Sequence, residues 1–204
     1  MLRLGLTGGI ASGKTTVAAM LREMGFAVLD ADSLAHKLTE PGQAAYDEVV
    51  REFGASILDT DARVDRAKLA AIVFADPAKL ARLNAIVHPR VETAVHEQFA
   101  EWSRNGARDA AFVEAALLVE ASYHKNLDGL VVTWCRPEQQ LERLRARGFT
   151  DEDARRRIAA QLPIAEKLGY ATEKIDCSGS LEDTRTQVAA LAAKLRRPSK
   201  KLSS

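Results

Sequence analysis

Residues 4–15 read LGLTGGIASGKT, a short apolar run that passes into a cluster of glycines and ends on Lys14 and Thr15. The segment from Gly8 to Thr15 fits the pattern Gly-x-x-x-x-Gly-Lys-Thr in full. Glycines in this pattern let successive backbone N–H groups converge on one anion, and the N-terminus of the following helix adds partial positive charge. The sequence therefore predicts a phosphate-binding loop (P-loop) and, with it, nucleotide binding.

The flanks of this loop predict a strand at 2–6, a helix at 14–24 whose apolar residues recur at helical spacing, and a second strand at 26–30. Strand, loop, helix and strand make one βαβ unit, which implies a parallel sheet. Further strands are predicted at 110–118, 129–134 and 173–176, and helices over 137–163, with a break at Gly148, and over 181–196. Thr150 is a suitable N-cap after that break.

The stretch between about 32 and 105 is mostly helical in its pattern, because apolar and polar residues alternate at three- and four-residue spacing. Pro41-Gly42, Asp76-Pro77 and His88-Pro89 are expected to interrupt it, since a residue that precedes proline is disfavoured in the helical region. The block is long for one crossover connection and predicts a helical subdomain beside the sheet.

Composition excludes several classes of protein. The 204 residues are 47% hydrophobic and 28% charged with a formal net charge of +1, which indicates a globular chain without a basic field for nucleic acid. Cys135 and Cys177 without a signal peptide or a membrane-length apolar run predict a reduced, cytoplasmic protein with no membrane partner. The four scattered histidines give no zinc spacing, and the oligomeric state stays open.

Two aspartates follow the second predicted strand, where ligands of parallel sheets bind. Asp30 and Asp32 are therefore candidates for the carboxylate that a kinase places against its acceptor hydroxyl, with the other aspartate holding Mg²⁺ through water. The alternative is that one of them only caps the next helix, and this alternative is stronger for Asp30 than for Asp32.

A second group of candidates consists of arginines on two predicted helical pieces around Gly148. A kinase that closes over ATP uses such residues to bring guanidinium groups to the transferring phosphoryl group. Interleaved acidic residues support the alternative of a solvated charged surface, with one or two arginines left for catalysis. The arginines are Arg143, Arg145, Arg147, Arg155, Arg156 and Arg157.

At this point the chain resembles the dephospho-CoA kinase family over nearly its whole length. The family opens with LTGGIGSGKS followed by DAD and a PG turn, and this chain has LTGGIASGKT and DADSLAHKLTEPG. The segments that follow, in the family's order, are VDRAKLAAIVF, LNAIVHPRV, LLVE (117–120), QLERLRAR (140–147), RIAAQLP (157–163) and IDCSGS (175–180). Apart from the P-loop no single segment is specific, but the order and spacing are.

The resemblance implies an α/β fold: a P-loop kinase-type parallel β-sheet flanked by helices, with a helical acceptor-binding subdomain and a helical lid. It implies one kinase domain over 1–204. Its core would lie at roughly 1–31, 108–136 and 171–197, its acceptor-binding region at roughly 32–107, and its lid at roughly 143–165. The reaction implied is Mg²⁺–ATP-dependent phosphorylation of the ribose 3′-hydroxyl of dephospho-CoA, giving CoA and ADP.

The resemblance also assigns roles to residues. Lys14, Asp32 as the base and Arg147 would be catalytic, Thr15 would hold Mg²⁺, and Asp32, Arg66, His88 and Pro89 would bind the acceptor. On composition alone His88 is a packed or capping residue. The ATP-binding residues would be Gly8, Gly9, Ile10, Ala11, Ser12, Gly13, Lys14, Thr15, Thr16 and Cys177.

Several positions depart from the family pattern. Ala11 replaces a common glycine, and a methyl group there is expected only with a negative φ. Glu114 and Ala116 stand where aspartate and proline are common, Thr172 where aspartate is usual, and Cys177 where an asparagine near the adenine is usual. The metal or acceptor geometry and the adenine contact are therefore the features in which this chain is expected to differ.

Three other functions stay open from the sequence. The first is another small-metabolite or nucleoside kinase of the same architecture. The second is a GTPase-like switch, against which the chain has no Asn-Lys-x-Asp segment and no Asp-x-x-Gly after a strand. The third is nucleic-acid binding through the arginine helices, which the matching acids and the lack of interleaved aromatic residues disfavour.

Overall fold

The computed structural model describes residues 1–106 and 109–196, and the chain divides into two compact units. The first unit comprises Met1–Leu29 and Glu101–Ser204, and the second comprises Asp30–Ala100. The last nine residues, RRPSKKLSS, are typical of a charged, solvated tail, and after Arg196 they lie outside the described residues. Within the part of the chain that is described, no helix is long and apolar enough to span a bilayer.

Five strands form one sheet in the order β2-β3-β1-β4-β5. The strands are β1 Leu2–Gly8, β2 Ala27–Asp30, β3 Ala110–Glu114, β4 Gly129–Trp134 and β5 Glu173–Asp176. The β1 strand lies at the centre and pairs in parallel with both β3 and β4, and β4 pairs in parallel with β5. The carboxyl ends of these strands therefore share one edge, from which the P-loop leaves β1.

Nine α-helices are assigned within the described ranges. They are α1 Lys14–Glu23, α2 Ala31–Leu38, α3 Tyr46–Phe53, α4 Arg66–Phe74, α5 Pro77–Arg104, α6 Pro137–Arg145, α7 Asp151–Ala159, α8 Ile164–Gly169 and α9 Leu181–Leu195. The predicted break at Gly148 is confirmed, since Gly148 has a φ of +86° between α6 and α7. Thr150 caps α7 as predicted, and its hydroxyl accepts a hydrogen bond from the amide of Asp153.

The core of the first unit forms where α1 and α9 cover the sheet. Val17 and Leu21 of α1 and Val188 of α9 are fully buried against apolar residues of β1, β3 and β4. Burying side chains of this size removes on the order of 2 kcal/mol each from the cost of folding. Because β1 is buried along most of its length, the start of the P-loop is fixed by the sheet.

One strand is shorter than the sequence predicts. The run 110–118 pairs as a strand only to Glu114, and the chain then turns, with the amide of Ala121 donating to the carbonyl of Leu117. Leu118 and Val119 are nevertheless buried. Their apolar character reflects packing under a turn, which single-sequence periodicity does not separate from a strand.

The second unit is a small helical body with its own core. Buried residues of α3, α4 and α5 meet in one cluster that includes Val49, Val73, Ile86 and Val87. A helix break predicted at His88-Pro89 is wrong, because α5 continues through Pro89 to Arg104. Apolar residues of α5 are buried on both sides of the proline, so tertiary packing outweighs the hydrogen bond that proline cannot donate.

Candidate active site

The P-loop is closely packed at both ends, so that the two glycines of its motif have no room for a side chain. A Cβ at Gly8 would overlap Thr133 Oγ1, and a Cβ at Gly13 would lie 2.8 Å from Cys177 Sγ. Gly13 is also left-handed, with a φ of +97°, where it precedes α1. Ser12, which is buried, hydrogen-bonds Thr133 through their hydroxyls at 2.8 Å. The loop therefore has the strand–loop–helix context that the sequence predicts.

Lys14, the first residue of α1, is paired with a carboxylate. Its Nζ lies 2.9 Å from Glu114 Oε1, at the carboxyl end of β3, and the Glu114 side chain is only 4% exposed. The guanidinium of Arg22 lies 3.5 Å from the other carboxylate oxygen of Glu114. A buried carboxylate of this kind is stable only beside cations, so Glu114 holds Lys14 at the mouth of the loop.

The oxygens at this edge are of the kind that bind a magnesium ion shared with phosphates. Thr15 places its hydroxyl in the first turn of α1, and Glu114 supplies a carboxylate from the neighbouring strand. Among the described residues no group of three or more His, Cys, Asp or Glu side chains could hold a metal. Mg²⁺ commonly takes one or two carboxylates with substrate phosphates and water, and this donor set is suited to that mode.

Side chains from α6 and from the segment after α7 hydrogen-bond the backbone of Ile10 and Ala11 in the P-loop. Gln161, two residues after α7, accepts a hydrogen bond from the amide of Ile10 at 2.7 Å, and Gln140 of α6 donates to the carbonyl of Ile10 at 2.7 Å. Arg143 of α6 donates to the carbonyls of Ala11 at 3.1 Å and Cys177 at 2.7 Å. Both polar backbone groups of Ile10 are thus satisfied by glutamine side chains.

Ala11 does not have the negative φ that its methyl group was expected to require. Its φ is +58°, in the left-handed region that favours glycine. The methyl group packs with Leu144 of α6 and Ala154 of α7 in a small apolar cluster. A left-handed alanine costs about 1–2 kcal/mol, so the contacts of the loop must offset that energy.

Cys177 is placed beneath the P-loop, next to Gly13. Its side chain is buried, its amide donates to the carbonyl of Trp134 at 2.8 Å, and its carbonyl accepts from Arg143. Burial raises the pKa of the Cys177 thiol to about 11, against an opposing influence of Arg143. Burial also raises the pKa of Cys135. Both thiols are therefore protonated at neutral pH, a state of low reactivity.

The Cys177 pKa predicts a loss of stability in alkali. The thiol ionises near its ordinary pKa in the unfolded chain and near 11 in the native protein. Its contribution to the free energy of unfolding is therefore fully present below the ordinary pKa and is lost as the pH rises towards 11. Between about pH 8 and about pH 10.5 we expect the free energy of unfolding in urea to fall by about 2 kcal/mol more in the parent chain than in Cys177→Ala. Parallel losses in the two proteins would contradict a buried, protonated thiol.

Most of the candidate arginines are already engaged. Arg145 forms a bidentate pair with Asp151 at 2.5 and 2.6 Å, Arg156 pairs with Asp153, and Arg157 lies over the ring of Phe149 at 4.6 Å. These contacts on exposed side chains favour the alternative of a solvated charged surface for three of the six.

Arg147 differs from those three. It follows α6, is exposed, and its guanidinium makes no hydrogen bond or ion pair with the described residues. Its side chain can therefore turn towards a ligand without breaking a bond.

The two aspartates of the DAD segment, at the start of the second unit, have different surroundings. Asp30 is the N-cap of α2, and its carboxylate accepts from the amides of Asp32 and Ser33 at 3.0 Å each. Asp30 therefore caps α2, as the capping alternative predicts. Asp32 lies in the first turn of α2, where its side chain is exposed. The helix N-terminus stabilises its negative charge.

The other acceptor-site candidates lie on α4 and α5 of the second unit. Arg66 is the first residue of α4 and is exposed, following the N-cap Asp65. His88 and Pro89 lie inside α5, and partial burial lowers the pKa of His88 below its ordinary value. The imidazole of His88 is therefore neutral at pH 7, able to offer one donor and one acceptor.

Sequence reasoning noted Glu114 only as a departure from the family pattern, and it did not select Gln140 or Gln161 as site residues. Glu114 carries a signal that could have been used, because a carboxylate that ends a buried apolar strand lies at the ligand-binding edge of a parallel sheet. The two glutamines act on backbone groups of the P-loop, and such contacts leave no spacing in the sequence.

Comparison with known proteins extends the likeness over both units. A family model described as dephospho-CoA kinase matches residues 2–183. The dephospho-CoA kinase of Aquifex aeolicus is 45% identical over 198 residues, covering 97% of this chain and 99% of that one. A solved dephospho-CoA kinase from Campylobacter jejuni is 27% identical with a TM-score of 0.71, covering 94% and 96% of the two chains. A crystal structure from Thermus thermophilus is 36% identical with a TM-score of 0.83, covering 96% and 98%.

Proposed function

The chain belongs to the dephospho-CoA kinase family, whose members phosphorylate dephospho-CoA in coenzyme A biosynthesis, and from that premise we propose how this chain carries out the reaction. The donor is ATP with Mg²⁺, the acceptor is the ribose 3′-hydroxyl of dephospho-CoA, and the products are CoA and ADP. The observation that supports this proposal most directly is the complete P-loop with Lys14 held by the buried Glu114. The enzyme acts by positioning and by electrostatic stabilisation, as phosphoryl transfer requires.

The donor side of the reaction belongs to the first unit. Backbone amides of residues 8–16 that are not already engaged, as those of Ile10 and Ser12 are, bind the phosphates together with the Nζ of Lys14 at the N-terminus of α1. Thr15 and Glu114 would hold Mg²⁺, which supplies charge neutralisation on the β- and γ-phosphates when bound. When a nucleotide is bound, Lys14 exchanges Glu114 for a phosphate oxygen. The adenine is placed at the segment around Cys177, whose backbone Arg143 links to the P-loop.

The acceptor side belongs to the second unit in this proposal. Asp32 orients the 3′-hydroxyl and takes its proton, since its carboxylate is exposed and Asp30 already serves as the cap. Arg66, His88 and Pro89 line the acceptor-binding region. Arg147, which has no partner among the described residues, is the arginine that stabilises charge on the transferring group.

Phosphoryl transfer by the purified protein tests this assignment. We expect release of ADP from Mg²⁺–ATP to be stimulated strongly by dephospho-CoA, with formation of CoA, and only weakly by adenosine or AMP. Omitting Mg²⁺ in the presence of EDTA should remove the activity, because Lys14 alone does not neutralise the charge on the β- and γ-phosphates. Stimulation by adenosine or AMP and not by dephospho-CoA would favour a nucleoside kinase of the same fold.

A further inference from the structure

Ala11 is in the left-handed region although it is not a glycine. A residue other than glycine stays in this conformation only where its surroundings over-determine it. The neighbouring backbone supplies such surroundings, because the amide and the carbonyl of Ile10 and the carbonyl of Ala11 all bond to side chains of other elements. Two of these bonds come from α6, and the third comes from Gln161, which lies beyond α7.

The backbone next to Gln161 is held by further contacts. The next residue, Leu162, donates its amide to Glu120 Oε1 at 3.0 Å, and Glu120 accepts a second bond from Lys167 Nζ at 2.7 Å. The Lys167 side chain is 0% exposed and also donates to the carbonyl of Ala116 at 2.8 Å. Lys167 is fully buried and the Glu120 side chain is 22% exposed, so this carboxylate is held by a buried cation and in turn anchors the peptide that joins Gln161 to Leu162.

We propose that Gln161 is a positioning residue that keeps Ala11 of the P-loop in the left-handed conformation needed for nucleotide binding. This inference rests on the proposed binding of ATP at the P-loop and adds a residue to it. In this chain a hydrogen bond from the segment after α7 stabilises the left-handed conformation of Ala11. A glycine at position 11 would adopt that conformation without such a bond.

The affinity for nucleotide depends on the fraction of the protein in which residue 11 is left-handed. An alanine is disfavoured in the left-handed region by about 1–2 kcal/mol, which equals a factor of roughly 5–30. Without Gln161, much of the unliganded protein leaves this conformation, and nucleotide binding must restore it. The apparent dissociation constant then rises in inverse proportion to the fraction that remains competent. With glycine at position 11 this factor disappears.

A double-mutant cycle measures that dependence. Four proteins are needed: the parent chain, Gln161→Ala, Ala11→Gly, and the double variant. Dissociation constants for Mg²⁺–ADP and Mg²⁺–ATP are measured by calorimetry. We expect Gln161→Ala to weaken binding about tenfold when residue 11 is alanine, and about twofold or less when it is glycine.

A glutamine elsewhere in the first unit serves as the matched control. Gln187 of α9 accepts a bond from the amide of Asp176 at 2.9 Å and makes no contact with the P-loop. Whatever Gln187→Ala does to the affinity, we expect the same factor with alanine and with glycine at position 11. Gln161→Asn, whose side chain is one methylene too short to reach Ile10, should reproduce Gln161→Ala if the alanine variant fails to fold.

The outcomes separate this inference from the proposed function. Equal losses with alanine and with glycine at position 11, or no loss on replacing Gln161, would overturn the positioning role. A parent chain that binds neither nucleotide would overturn the proposed function itself.

Discussion

Asp32→Asn is expected to lower kcat by about 10²–10⁴-fold, because asparagine cannot take the proton of the acceptor hydroxyl. The affinity for Mg²⁺–ATP should change little, since residue 32 belongs to the second unit and the phosphate-binding residues belong to the first. The two substrates are tested separately. Calorimetry with ATP in the presence of Mg²⁺ reports binding, and single-turnover formation of CoA reports the chemical step.

Asp30→Asn is the matched control for that prediction. Asparagine caps helices as well as aspartate does, so α2 should keep its N-terminus, and most of the turnover should remain. Comparing Asp30→Asn with Asp32→Asn then distinguishes a residue that caps α2 from one that acts as the base. Turnover that survives in Asp32→Asn and collapses in Asp30→Asn would exchange the two roles, and turnover that survives in both would remove the DAD segment from the chemistry.

Lys14→Met is expected to have a double effect, on catalysis and on folding. Loss of one cation that stabilises phosphoryl charge lowers kcat by about 10²–10³-fold. The same change leaves the buried carboxylate of Glu114 with Arg22 as its nearest cation, at 3.5 Å. Removing one partner of a buried pair costs about 3–5 kcal/mol, and with Arg22 present we expect about 2 kcal/mol in urea unfolding.

The double variant Lys14→Met/Glu114→Gln separates the two effects. A neutral amide at position 114 needs no cation, so the free energy of unfolding should return most of the way to that of the parent chain. Turnover should remain at least as low as in Lys14→Met, because the phosphates still lack their lysine and the proposed Mg²⁺ site has lost its carboxylate. Recovery of activity together with stability would show that Lys14 acts through folding alone.

Much of the fold could be predicted because its signals are local. The P-loop, the helix that follows it and the strands at 129–134 and 173–176 are set by residues within each segment, and all of them are found. The break at Gly148 has an equally local cause, since a φ of +86° suits glycine. The family pattern added the order of the remaining segments.

The features that were missed depend on partners distant in the chain. Helix α5 passes through Pro89 because packing holds it on both sides: Ile86 and Val87 are buried in the cluster with α3 and α4, and the partly buried Val91 packs against that cluster, which no local rule includes. Ala11 is left-handed because residues some 130–150 positions away bond the backbone around it. Each local rule was physically sound and was outweighed by packing or hydrogen bonding that only the folded chain supplies.

The pairing of Lys14 with Glu114 has a consequence for the end of the catalytic cycle. The carboxylate acts as a built-in counter-ion that competes with phosphate oxygens for the same ammonium group. Because it is tethered, its effective concentration is high and does not depend on the surrounding solution. In the proposed reaction this competition would assist the departure of ADP, and Lys14 and Glu114 would pair again once the loop is empty.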